Sequence, residues 1–356
     1  MTDLESLRKE IDDLDSELLQ LLNKRMDVVR RVGELKKVNR AVIYRPEREK
    51  AILDRLASLN EGLLNRSAIE AIFLEIFAVS RNIELPEKIT YLGPEGSFTH
   101  QAAESRFGAM SEYLPVASIS SVFDMVETDR ARFGVVPIEN NLQGVVQETF
   151  EGLTKTNLNI VAEIPLPIHF SFSTLSETIG DIRRIYSRDI AFRQCSKFLK
   201  ETYDLNDVDL IPVDSTSKAA KMASGKPDSA AICSHIAARQ YNLPLLFENI
   251  EDSSDNMTRF LILAKDVVNK IGKNDKTTIL ARLGEETGSL AGFLKDFHDN
   301  GVSLTRIESR PARRGKSFKY WFFIDFIGHF ENENVRKVLE KHKDHIKLLG
   351  SYVRLV

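Results

Sequence analysis

The chain has 356 residues, more than one hydrophobic core usually serves, so several domains are expected. Its 42% hydrophobic and 28% charged residues, with 18 Gly and 11 Pro, exclude a collagen-like, disulfide-dense or largely disordered chain. Lys plus Arg at 49 against Asp plus Glu at 52 leaves a net charge of -3, so there is no global field for a phosphate backbone, and any anion site must be local.

From Leu4 the apolar positions run Leu4, Leu7, Ile11, Leu14, Leu18, Leu21, Val28, Val32 and Leu35, in steps that mark one amphipathic helix over Thr2 to Lys37. At about 1.5 Å per residue it would extend roughly 54 Å, longer than a small domain is wide, so its apolar seam needs a partner, most simply a second copy. A break at Arg40 to Pro46 and a second amphipathic stretch to Leu59 follow; Ser67 is then expected to cap a third helix, Ala68 to Glu84, which Pro86 ends. Residues 1–86 therefore read as an all-α module. Arg25 occupies the seam where an apolar side chain belongs, and a buried guanidinium survives there only if something anionic meets it. Lys36, eleven residues on, shares that face, whereas Arg8, seventeen residues back, lies about 100° round the helix and reaches the same point only from another helix. Arg48 and Glu49 sit on the second helix, and Ser80 and Glu84 form an i,i+4 pair on the third. A structural network of ion pairs and an anion site both fit this charge pattern.

After Pro86 the pattern turns to short β-rich runs between helical stretches: Ile89 to Leu92, Arg132 to Ile138, Asn159 to Pro165, His169 to Ser173, Arg184 to Ser187, Ala230 to Cys233 and Phe260 to Ala264. This predicts an α/β region over residues 88–265. Polar residues gather at strand ends: Glu139 and Asn140 after one strand, Ser187 and Gln194 after another, Thr258 and Arg259 just before a third. One such residue is usually a cap; several point to a shared cleft. The Gly93, Pro94 and Gly96 turn, with Ser97 or Thr99, could bring N–H groups toward an anion or be only a turn. His169, at a strand start, reads as structural. The polar stretch Lys265 to Asp275 reads as a linker. Over residues 275–356 come strand Thr277 to Leu283, helix Ser289 to Asn300, strands Val302 to Ser309 and Phe318 to Ile327, helix Asn332 to His342 and strand Ile346 to Tyr352. The order βαββαβ predicts an α+β ferredoxin-like unit.

The segment LRKEIDDLDSELLQLLNKRMDVVRRVGELKK with YRPEREKAIL resembles the helical chorismate mutase domain that begins bifunctional chorismate mutase/prephenate dehydratases. The resemblance places Arg8, Arg25, Lys36, Arg48, Glu49, Ser80 and Glu84 in its site, with Arg8 given by the second subunit. The strings GPEGSF, VVPIEN, YS followed by QCSKFL, DSTSKAA and TRF resemble the prephenate dehydratase domain. They imply two α/β lobes, periplasmic-binding-protein-like, with a cleft lined by Glu139, Asn140, Ser187, Gln194 and Thr216. In it Thr258 would donate to the leaving hydroxyl and Arg259 would hold a carboxylate. Arg188 and Asn141 stand where that family commonly has other residues. Gly288, Ser289, Leu290 and Ala291, with Glu308, Ser309, Arg310 and Pro311, resemble the ACT domain segments that bind phenylalanine between paired domains.

The resemblance implies a multidomain enzyme that converts chorismate to prephenate and prephenate to phenylpyruvate under inhibition by L-phenylalanine, as a homodimer or higher homo-oligomer. The alternative is a monofunctional prephenate dehydratase whose helices only dimerise; an effector-binding regulator would need a basic face that residues 1–86 lack. No cofactor is expected, since the seven histidines lack ligand spacing and no phosphate-binding glycine string occurs. No metal, nucleic-acid or membrane partner is expected either. The longest apolar runs are far short of the roughly 20 residues of a membrane span, and the start MTDLESLRKE has no export-signal pattern, so a cytoplasmic location is expected. Cys195 and Cys233 read as buried reduced thiols.

Overall fold

The computed structural model describes residues 4–38, 44–85, 87–204, 206–284, 286–311 and 320–354. Two compact units emerge: Met1–Glu87 with Phe107–Glu112, and Lys88–Arg106 with Tyr113–Val356.

In the first unit, α1 (Leu4–Val38) is the long helix that the periodicity predicts. Pro46 opens α2 (Pro46–Leu59), where a missing N–H costs nothing because the first turn has no intrahelical acceptor. The cap of α3 (Arg66–Glu84) is Asn65, not Ser67: its extended backbone lets Oδ1 accept from Ala68 N at 2.8 Å, and Ser67 already lies inside the helix. The expected stop at Pro86 lies outside the described residues, as does most of the break before Pro46; α3 ends into extended Leu85. Where α1 meets α3, a Cβ on Gly33 would stand 3.0 Å from the Glu84 Cα, so the small residue sets the approach of the two helices.

The second unit begins with a lobe of β1 (Lys88–Leu92), α4 (Phe98–Phe107), β2 (Glu112–Val116), α5 (Ile119–Glu127), β3 (Phe133–Asn140), β4 (Gly144–Val145), α6 (Gln147–Lys155) and β5 (Asn159–Pro167). A second lobe follows: β6 (Ser171–Thr174), β7 (Arg184–Ser187), α7 (Asp189–Gln194), α8 (Ser196–Thr202), β8 (Asp209–Pro212), α9 (Thr216–Ala223), β9 (Ser229–Cys233), α10 (His235–Gln240) and β10 (Leu245–Phe247). The chain then returns to lobe one as β11 (Met257–Ala264). The sheets run β2-β1-β3-β11-β5, with β4 beside β3, and β10-β6-β9-β7-β8. Two chain crossings join the lobes, as the two-lobed reading requires. At them His169 Nδ1 lies 2.6 Å from Glu251 Oε1 and Ile168 N donates to Asn256 O at 2.8 Å. Cys195 and Cys233 are buried and unpaired.

The C-terminal part adds β12 (Asp275–Ala281), α11 (Ser289–Asp299), β13 (Leu304–Pro311), β14 (Tyr320–Ile327), α12 (Glu333–Lys341) and β15 (Ile346–Val353), in the sheet order β13-β14-β12-β15. This is the expected βαββαβ unit. One sheet face packs its helices through Ile279, Phe293, Phe297, Ile324, Phe326 and Val335. The other face is covered too. Leu280, Phe323, Leu349 and Tyr352 join Val136, Ile138, Ile160 and Leu261 of lobe one in a single core. Gly350 allows the approach, since a Cβ there would collide with the Ile160 carbonyl. The stretch Lys265 to Asp275 is accordingly no free linker. Asn269 is buried in it and its amide donates to Val161 O at 2.7 Å and Ser351 O at 3.1 Å, tying β5 to β15.

Candidate active sites

On the helical unit, Arg25, Lys36, Ser80 and Glu84 come together between α1 and α3. Arg25 Nη1 donates to Ser80 Oγ at 2.5 Å, and the guanidinium carbon lies 5.9 Å from the Phe77 ring centroid. Ser80 passes its own proton to Ile76 O at 2.6 Å, so its oxygen faces Arg25 as an acceptor. Lys36 Nζ and Glu84 Oε2 are 2.6 Å apart and half-buried. Burial lowers the Arg25 pKa against the opposing pull of Glu84, the mark of a guanidinium short of counter-charge. Two cations with one carboxylate on this face leave a local excess of positive charge. Glu49 departs from the expected set: buried on α2, it is ion-paired to the equally buried Arg81, a residue the charge pattern does not single out. Arg48 is exposed on α2, and Arg8 is exposed on α1.

In the second unit a line of polar side chains crosses from one lobe to the other. The Asn140 amide nitrogen donates to Thr258 Oγ1 and to Asn256 Oδ1, both at 2.8 Å; Asn256 Nδ2 reaches Gln194 Oε1 at 3.4 Å. The orientation of the Asn140 amide follows from its surroundings. Its Oδ1 accepts from Leu142 N and Gln143 N, each at 3.0 Å, so the nitrogen must face Thr258. Thr258 Oγ1 is therefore an acceptor toward Asn140, and its own proton is left to give. Asn256, 3% exposed, is the residue that sequence reasoning missed. It lies two positions before Thr258 in the same NMTRF string, but nothing in its spacing marks it as the bridge.

Other expected residues are placed differently. Ser187 is buried and its hydroxyl is spent on Ile232 O at 2.7 Å. Thr216 opens α9 behind the N-cap Ser215, and the next residue, Ser217, donates to Glu95 O. With Ser234 Oγ on Gly96 O at 2.8 Å, this pins the turn between β1 and α4 to the second lobe. The N–H groups of Gly93, Gly96 and Ser97 bond to Val116 O, His100 Nδ1 and Pro94 O, so that turn does not present them to an anion.

Thr258 and Arg259 lie inside β11 rather than before it. The rows of β3 and β11 pair Thr258 with Asn140 and Arg259 with Glu139, so alternation sends the two pairs to opposite sheet faces. Arg259 and Glu139 therefore do not line the Thr258 side. Arg259 Nε sits 2.8 Å from Glu139 Oε1 and Nη1 sits 2.7 Å from Asp325 Oδ2 on the C-terminal sheet. Arg259 thus meets carboxylates of the protein itself on the face away from Thr258.

Of the effector segment, Gly288 takes a left-handed φ of 86° ahead of α11, a conformation for which only glycine is free of strain. Ser289, Leu290 and Ala291 form the first turn of that helix, and nothing lies within 4 Å of where a Gly288 Cβ would stand. β13 is an edge strand whose residues alternate: Ser309 and Pro311 are exposed on one face, while Glu308 and Arg310, paired at 2.9 Å, are half-buried on the other. The four residues thus do not share one face.

Residues 7–85 match the Chorismate mutase type II family, 89–268 the Prephenate dehydratase family and 277–344 the ACT domain family. The bifunctional chorismate mutase/prephenate dehydratase of Aquifex aeolicus (strain VF5) is 40% identical over 359 residues, spanning 99% of this chain and 98% of that relative. The protein of the same description from Pseudomonas aeruginosa is 40% identical over 362 residues, with 99% and 98% covered. Among solved structures, a prephenate dehydratase from Arthrobacter aurescens in complex with L-Phe matches with a TM-score of 0.67 at 31% identity, covering 75% of this chain and 90% of that one. Three domains in this order, on a chain that aligns from end to end with such relatives, settle the family: this protein belongs to the bifunctional chorismate mutase/prephenate dehydratases.

Proposed function

We propose that the helical unit rearranges chorismate to prephenate, that the two-lobed cleft converts prephenate to phenylpyruvate, and that phenylalanine inhibits through the C-terminal ACT sheet. The observation that supports the second activity is the line Thr258, Asn140, Asn256 and Gln194, which runs from one lobe to the other without using the Thr258 hydroxyl proton. In the reaction the ring C–O bond and the C–C bond to a carboxylate break together. The electron pair of the C–C bond enters the ring as carbon dioxide leaves, and the hydroxyl departs as water. A hydroxide is a poor leaving group, and donation from Thr258 to its oxygen lowers that cost. Asn140, in turn, holds the donor in place.

The rearrangement of chorismate is unimolecular and needs no proton transfer. The site's task is to hold a dianion in a chair-like shape and to stabilise charge on the breaking ether oxygen. Arg25, which has Ser80 as its acceptor and no carboxylate at ion-pair distance among the described residues, suits a substrate carboxylate. Lys36 and Glu84 face the same place and suit the ether oxygen. Arg8 lies roughly 25 Å along α1 from Arg25, at ~1.5 Å per residue, so it serves the site of another chain.

That other chain is a second copy. Leu7, Ile11, Leu14, Leu18 and Leu21 are 44% to 62% exposed, a continuous apolar stripe that the described residues of one chain leave open. A homodimer built on α1 buries the stripe and brings Arg8 of the partner to Arg25.

Gly288→Val is expected to leave dehydratase turnover intact while abolishing its response to phenylalanine. The position meets no neighbour of its own, so a side chain there projects into the space given to the effector. The left-handed backbone adds strain on the order of 1–2 kcal/mol. Dehydratase rate against phenylalanine concentration measures this; unchanged inhibition would move the effector elsewhere. The two activities are tested directly by assaying the purified chain for loss of chorismate and for phenylpyruvate formed from supplied prephenate. Phenylpyruvate without chorismate loss would reduce the helices to a dimerisation device.

A further inference from the structure

Behind the sheet that presents Thr258 lies a cluster of six charged side chains. Arg259 Nη1 contacts Asp325 Oδ2 at 2.7 Å and Glu163 Oε2 at 3.2 Å, and its Nε contacts Glu139 Oε1 at 2.8 Å. Lys276 Nζ reaches Glu163 Oε2 at 2.7 Å and Asp325 Oδ2 at 3.5 Å; Arg306 Nη2 reaches Glu139 Oε2 at 2.6 Å. Asp325 is 0% exposed, and its second oxygen accepts from Thr278 Oγ1 at 2.7 Å, itself 2.8 Å from Tyr352 OH.

Ownership of these charges is divided. Lobe one supplies two carboxylates, Glu139 and Glu163, and one cation, Arg259; the ACT sheet supplies two cations, Lys276 and Arg306, and one carboxylate, Asp325. Each half alone is unbalanced by one charge, and the two cancel only when joined. Burial opposes charge on Asp325, but Arg259 and Lys276 outweigh it and hold its carboxyl below the usual carboxylate range. The cluster is tightly knit through these contacts, and it grips β11 one residue from Thr258.

We propose that Asp325 is a positioning residue for the dehydratase: by holding the Arg259 guanidinium from the ACT side, it fixes β11 in the register that points the Thr258 hydroxyl at Asn140 and the cleft. The regulatory sheet is then a physical part of the catalytic apparatus. Any shift of β14 on effector binding reaches the proton donor through one ion pair and one peptide unit, without a chain of intermediates. This rests on the reading of Thr258 as the donor.

The test uses the full chain and steady-state dehydration of prephenate, with chorismate mutase activity measured on the same samples. Asp325→Asn keeps the shape and the acceptor for Thr278 while weakening the hold on Arg259. It should lower kcat on the order of tenfold or more, since misplacing a reacting group by a fraction of an ångström is costly, with KM within about twofold. Because Asp325 acts through Thr258, adding Asp325→Asn to Thr258→Ala should slow the enzyme no further than Thr258→Ala alone. An unchanged kcat in Asp325→Asn, or losses that multiply in the double variant, would overturn the proposal. A Thr258→Ala enzyme with near-normal turnover would instead remove the donor reading on which it rests. Should Asp325→Asn not fold, Thr278→Val decides on the same readout: a severalfold lower kcat at constant KM supports the positioning role, and unaltered kcat rejects it.

Discussion

Arg25→Ala is expected to abolish chorismate mutase activity while dehydration of supplied prephenate continues at close to its normal rate. Losing a half-buried, charge-assisted contact to a substrate carboxylate costs about 4 kcal/mol of transition-state binding, roughly 10³-fold in rate. The helices should survive the change. Ser80 keeps its bond to Ile76 O at 2.6 Å, and only its acceptor side loses a donor. The two activities lie on separate compact units, so an equal fall in both would contradict the assignment of Arg25 to the mutase alone. The same variant tests the dimer. If Arg8 completes the partner's site, Arg8→Ala and Arg25→Ala chains are each inactive, yet mixing them after unfolding and refolding should restore about a quarter of the wild-type mutase rate, because half the dimers are mixed and each holds one intact site. No recovery on mixing would place Arg8 outside the partner's site.

Thr258→Ala is expected to lower dehydratase kcat on the order of 10²-fold or more with KM little changed, because the hydroxyl contributes where the leaving oxygen gathers charge and not in the ground state. Thr258→Ser, which keeps the hydroxyl and loses only a methyl group, should retain most of the rate. The mutase should be unaffected by both. Asn140 provides the internal control. Since its amide is held by two backbone N–H groups, it cannot turn to replace the missing hydroxyl, and the loss in Thr258→Ala should not be compensated locally. A loss of only a few fold would make Thr258 a packing residue on β11 and leave the proton donor unassigned.

The changes of hydrophobic period, from steps of three and four to short β-rich runs and back to a βαββαβ order, mark out all three parts of the chain. They do so because each element here has one apolar face set by its own backbone repeat. What escaped was the extent of β11. Met257, Thr258 and Arg259 look like a polar lead-in to the apolar run from Phe260, but β3 and β5 bond to the strand on both sides and draw it out to Met257. Once Thr258 and Arg259 are strand neighbours, period two separates them, and a pair that reads as one site becomes two. The stretch after Lys265 misled for a related reason: its polar composition signals surface, whereas Asn269 is buried with its amide nitrogen satisfied by two carbonyls. Short strands such as β4 and β10 carry too few residues for any period to register. Among the charged residues of the helical unit, the shared face of Arg25 and Lys36 was legible from helical angle alone, but the Glu49–Arg81 pair required the packing of α2 on α3.

The apolar core that Leu280, Phe323, Leu349 and Tyr352 share with lobe one limits how this architecture can be taken apart. A sheet transplanted onto this dehydratase would have to arrive with the large side chains that fill that core, with a glycine where β15 meets Ile160, and with one surplus positive charge to neutralise the lobe's own deficit. Conversely, a chain truncated after Lys265 would leave that apolar flank of lobe one uncovered and set Glu139 and Glu163 against Arg259 alone. Mutations that free such an enzyme from inhibition should therefore accumulate as point changes around the effector segment, and not as deletions of the sensor.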